Sequence, residues 1–89
     1  MTEPLRILML EDVPMDAELV AYELGRARVP FDARRVDTRE AFLRELEQYR
    51  PDVILSDYTL PRFDGMTALS LARERAPDVP FLIVTGSVD

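Results

Sequence analysis

The residues best suited to chemistry are carboxylates that close apolar runs: Glu11-Asp12 follow LRILML, Leu5 to Leu10, and Asp57 follows VILS, Val53 to Ser56. A hydroxyl, Thr85, closes a third such run that opens at Pro80. If the three runs are neighbouring parallel strands, three carboxylates and a hydroxyl meet at one edge. Like charges that close repel unless a cation neutralises them. The sequence has no His, Cys or Lys, so the ligand set is all oxygen. That suits a hard divalent ion, Mg2+ or alternatively Mn2+, rather than zinc. A metal beside carboxylates, with no catalytic His or Cys, points to phosphate chemistry. The ion screens an incoming phosphoryl group, which leaves one carboxylate to act as nucleophile and form an aspartyl phosphate. Asp57, ending a central strand, is the candidate nucleophile, and Thr85 can donate its hydroxyl to a phosphoryl oxygen.

The elements around these residues predict such an edge. Leu5 to Leu10 is nearly continuous in apolar residues, as in a strand covered on both faces. From Pro14 the pattern turns helical, with Ala17, Val20, Ala21 and Leu24 on one stripe. Asp12 fits the N-cap and Pro14 the first turn. This helix ends at Gly25 or continues to Arg28, and Pro30 bounds it. Phe31 to Val36, half polar, reads as an edge strand. Asp37 to Glu40, DTRE, fits a capping signal for a helix with Phe42, Leu46 and Tyr49 on its apolar stripe, ended by Pro51. Asp52 to Asp57 is a second buried strand. After a turn at Pro61 to Gly65 comes a third helix marked by Ala68, Leu69, Leu71 and Ala72, which Pro77 terminates. PFLIVTG, Pro80 to Gly86, is a third buried strand. The resulting order, β-α-β-α-β-α-β, predicts an α/β fold with a parallel sheet and right-handed crossovers. Ligands bind such sheets at the carboxyl ends of the strands.

Composition sets the outer limits. Eighty-nine residues make one domain, and 47% hydrophobic residues are enough for a packed core despite 31% charged ones. The longest apolar runs are too short to cross a bilayer, and Met1 is followed by Thr-Glu-Pro rather than a leader. Without cysteine there is no disulfide framework, and the cytosol is the expected compartment. The net charge is −6 and all 11 basic residues are Arg, scattered along the chain. That is a poor footprint for nucleic acid.

Taken together, LEDVPMD (Leu10 to Asp16), VILSDYTLPRFDG (Val53 to Gly65) and PFLIVTG resemble the receiver domain of bacterial two-component response regulators, the CheY-like family, from Leu5 to Asp89. The resemblance implies a flavodoxin-like, doubly wound sheet, here with strand order 2-1-3-4. It implies that Glu11 and Asp12 are the metal-binding pair, Asp57 the phospho-acceptor, and Thr59 a metal ligand through its backbone carbonyl. Thr85 becomes the switch hydroxyl, Gly86 the small residue that gives it room, and Pro61 and Gly65 shape the rim. The partner implied is a sensor histidine kinase or a phosphotransfer protein, with no direct nucleic-acid or membrane contact. The chain departs from the family in having no Lys to pair with the acceptor phosphate. By that comparison residues 1–89 form a receiver domain lacking the fifth strand and the last two helices. The expected consequence is an apolar edge at Pro80 to Thr85 that drives homo-oligomerisation, through that strand or the uncovered sheet faces.

Other readings carry less. A nucleotide-binding fold needs a Gly-rich turn after Leu10, where EDVPMD has none. A phosphatase of the haloacid dehalogenase type has a second Asp two residues after its nucleophile, where Thr59 stands. A receiver-like interaction or dimerisation module that does not use phosphate is the alternative function, although the full acidic set argues against it. Asp64-Gly65 reads as a turn. Arg34, Arg35 and Arg62 read as solvated charges.

Overall fold

The computed structural model describes residues 3–57 and 65–84. In chain order the elements are β1 (Leu5–Leu10), α1 (Pro14–Arg26), β2 (Phe31–Val36), α2 (Arg39–Gln48), β3 (Val53–Asp57), α3 (Gly65–Arg75) and β4 (Phe81–Val84). The four strands form one sheet in the order β2-β1-β3-β4, with all pairings parallel. The α/β fold and the 2-1-3-4 order are as the sequence predicts.

Side-chain alternation along the strands divides the core in two. Leu8, Leu10, Val36 and Ile54 point to one face, where Phe42 and Leu46 of α2 and Ala68 and Ala72 of α3 cover them. Ile7 and Met9 point to the other, where Ala17, Val20 and Leu24 of α1 pack with Val53 and Leu55. Because β1 feeds both clusters, all four residues from Ile7 to Leu10 are buried, which accounts for its unbroken apolar run. β2 is an edge, with Asp32, Arg34 and Arg35 exposed.

Local chemistry sets most of the helix ends. The Thr38 hydroxyl accepts the Ala41 N–H at 3.2 Å, so the DTRE signal starts α2 through its Thr. Pro14 opens α1, but the N-cap is Val13, without a side-chain cap. Asp12 therefore does not cap the helix. Gly25 lies within the last turn rather than ending it. The chain leaves α1 at Arg28, whose φ of 59° is left-handed. There the Arg28 N–H bonds Gly25 O at 3.0 Å and the Val29 N–H bonds Leu24 O at 3.3 Å, the paired closure of a Schellman end. Gly65 is the buried first residue of α3, and no glycine among the described residues has positive φ. Asp64, the other residue of the expected turn, lies outside the described residues.

β4 departs from the buried strand that its own run suggests and matches the uncovered apolar edge expected from the family resemblance. Leu82, Ile83 and Val84 of β4 are 51%, 46% and 36% exposed, although their run reads as buried. Among the described residues β4 pairs with β3 alone, and only Phe81 packs against the α2/α3 cluster. Apolar continuity shows that a strand is suited to burial, but the neighbouring elements decide whether it is covered.

Candidate functional site

Parallel pairing fixes where the carboxylates arrive. Met9 sits opposite Leu55 and Leu10 opposite Ser56, so one step further along the strands Glu11 and Asp57 are neighbours. By alternation both belong to the sheet face that α1 covers. One carboxylate oxygen from each of Glu11, Asp12 and Asp57 lies within 4.8 Å of the other two. The sequence-predicted acidic set is thus brought together, although Asp57 is far in sequence from the other two.

The loop after β1 is held at several atoms. The Glu11 N–H bonds Val36 O at 3.1 Å, which extends the β1–β2 ladder by one residue. The Glu11 carboxylate Oε2 accepts the Val13 N–H at 3.3 Å. Arg35 of β2 donates Nη1–H to the Glu11 carbonyl at 2.9 Å. Glu11 is consequently the most enclosed of the three acids, 9% exposed, with Asp12 and Asp57 half-buried. On the β3 side, Ser56 is fully buried and donates its hydroxyl to the Asp57 carbonyl at 3.0 Å.

A cavity of about 100 Å3 opens beside the carboxylates, lined by Glu11, Leu19, Val20, Leu55, Asp57 and Val84. It has room for several water molecules, with acid at one end and hydrocarbon along its walls. Such a site can concentrate a cation between the acids and keep one carboxylate accessible to an incoming group.

Two basic residues that read as solvated charges are exposed and are also paired. Arg34 pairs with Glu45 at 2.8 Å and lies over the Tyr49 ring at 4.4 Å. Arg35 binds the Glu11 carbonyl and also approaches the Asp37 carboxylate at 4.0 Å. Neither contact has a sequence signal, since a polar residue on an edge strand looks the same whether solvated or paired. Thr59, Pro61, Arg62, Asp64, Thr85 and Gly86, also singled out from the sequence, lie outside the described residues.

Comparison with known proteins follows the same pattern. The family described as the response regulator receiver domain matches residues 7–89. A protein-glutamate methylesterase/protein-glutamine glutaminase of Nitrosospira multiformis is 35% identical over 86 residues, which cover 96% of this chain and 24% of that protein. The chain thus spans about a quarter of that relative's length. A response regulator from Hahella chejuensis superposes with a TM-score of 0.81 at 29% identity, covering 96% of this chain and 66% of its own. The receiver domain of a sensor histidine kinase from Pseudomonas aeruginosa, with a magnesium ion coordinated in its active-site cleft, gives 0.76 at 27% identity, covering 93% of this chain and 68% of its own. The family match over residues 7–89, with sequence and fold similarity over nearly the whole chain, makes this protein a member of the response regulator receiver-domain family of two-component systems.

Proposed function

We propose that this domain accepts a phosphoryl group on Asp57, with Glu11 and Asp12 holding Mg2+, or Mn2+ in its place, together with Asp57 and the backbone carbonyl of Thr59. The observation that carries this reading is the convergence of three carboxylates within 4.8 Å, an oxygen-only donor set that fits a hard ion. When bound, Mg2+ supplies positive charge against the oxygens of the incoming group. A carboxylate oxygen of Asp57 attacks phosphorus, the bond from phosphorus to the donor's leaving atom breaks, and the donor keeps the electron pair. Glu11, fixed through its N–H and carbonyl, keeps its carboxylate beside Asp57, while Thr85 donates to a phosphoryl oxygen once the group is in place. The donor is a sensor histidine kinase, a phosphotransfer protein or a small phosphodonor. The setting is the cytoplasm and the role is signalling, with no substrate turned over beyond the domain's own phosphorylation and dephosphorylation.

Incubation with a small phosphodonor and Mg2+ tests this. The expected result is a mass gain of one phosphoryl group that Asp57→Asn and chelation of the metal both abolish. An undiminished gain in Asp57→Asn sinks the assignment of the acceptor.

A second reading is favoured by the open surface of β4. Leu82, Ile83 and Val84 present contiguous apolar area on a strand whose outer edge has no partner strand among the described residues, which supports self-association of the domain through this strand or the adjoining sheet face. Under this reading, Asp57→Asn leaves partner binding untouched.

A further inference from the structure

We infer that Arg35 is a positioning residue for the acidic site, acting through the peptide group that joins Glu11 to Asp12. This rests on the reading of Glu11, Asp12 and Asp57 as a divalent-cation site. Arg35 lies on β2, opposite Met9, on the sheet face shared with α1. Its Nη1–H reaches across to the Glu11 carbonyl at 2.9 Å. That oxygen belongs to the peptide plane from which Asp12 continues, so holding it fixes the direction in which the Asp12 carboxylate is presented. The N–H of Glu11 is already tied to Val36 O at 3.1 Å. Two consecutive residues of β2 therefore grip both ends of Glu11, one by backbone and one by side chain. The Asp37 carboxylate lies 4.0 Å from that same Nη1 and pairs with the arginine's charge.

The guanidinium has two opposing effects on a bound cation, and selectivity separates them. As a positive charge near three acids, it repels Mg2+ and Ca2+ alike. As a clamp, it favours Mg2+, which demands near-ideal octahedral geometry, over Ca2+, which accepts irregular and larger shells. The clamp is the effect inferred here. A guanidinium suits that role because its rigid planar group holds Nη1 in a fixed direction, whereas an ammonium is a rotatable point charge.

The experiment is calorimetric titration of the domain with Mg2+ and, separately, Ca2+, for the wild type, Arg35→Gln and Arg35→Lys, without any phosphodonor. In Arg35→Gln, Mg2+ binding is expected to weaken roughly tenfold, the low end for loss of a group that supports metal ligands. Ca2+ binding should change by much less, so the Mg2+ to Ca2+ affinity ratio falls. Arg35→Lys keeps the charge and a donor but lacks the fork, so its ratio should be intermediate. If both ions bind more tightly in Arg35→Gln at a constant ratio, the residue acts only as a charge and the positioning role is overturned. An unchanged ratio in Arg35→Lys overturns it as well, even if the Gln variant does not fold. A wild type that takes up neither ion overturns the cation-site reading itself, a failure visible before any variant is made.

Discussion

The Tyr49 hydroxyl stands 3.0 Å from both the backbone oxygen and a carboxylate oxygen of Asp32, while its ring is buried under the Arg34 guanidinium. Burial comes first and the hydrogen bond to Asp32 second in pushing its pKa up from 10.0 to about 12. The folded state therefore keeps the phenol protonated where the unfolded state has already lost the proton. The associated stability is intact below about pH 10 and is lost as pH rises towards 12. Urea unfolding at a series of alkaline pH values should show this decline, and Tyr49→Phe should flatten it. The same variant should lose about 1 kcal/mol at neutral pH for the missing hydrogen bond. At this scale the sequence was legible wherever residue type alone decides the chemistry, as for Glu11, Asp12 and Asp57. Arg34 and Arg35 were not legible, because their partners Glu45 and Glu11 are brought near by β2 lying beside α2 and the β1 end.

The end of α1 shows what an element's sequence does and does not specify. Glycine is the usual residue at the left-handed position that closes a helix, and here it stands three residues too early. Gly25 is helical and a Cβ added there meets nothing within 4 Å, whereas Arg28 takes the left-handed φ of 59°. Gly25→Ala should stabilise the domain by roughly 0.5–1 kcal/mol, and Arg28→Gly by about 1 kcal/mol. Thermal unfolding of each single variant and of the pair measures both effects. A fall in stability for Arg28→Gly is the result that contradicts this account of the helix end. The glycine thus marked the region of the helix end but not the residue. The Thr38 cap of α2 was readable because its partner, Ala41, lies three residues away.

For the whole molecule, the alternation of strands and helices was enough to yield the parallel sheet, the family resemblance supplied the strand order, and that order brings the carboxylates to one edge. The apolar run of β4 did not itself specify whether the strand is covered, because coverage depends on a strand's neighbours; the expectation of an open edge came from the family resemblance. The exposed apolar surface of β4 leads to a test of association. Sedimentation across a range of concentrations should show oligomers of the wild type, and Leu82→Lys, which places a charge on that open strand, should shift them to monomer. A wild type that stays monomeric at every concentration overturns self-association.

The pairing of Ile7 with Val53 has a kinetic consequence. No local segment contains the acidic site, since Glu11 and Asp57 become neighbours only when β1 has docked on β3 across the intervening helix-strand-helix. Closing such a loop costs entropy that grows only slowly with length, about 0.6 kcal/mol per doubling, but it must be met before the long-range contacts form. An ion that needs all three carboxylates is accordingly blind to the unfolded chain and to its isolated strands or helices. Its uptake dates the moment at which the two central strands meet.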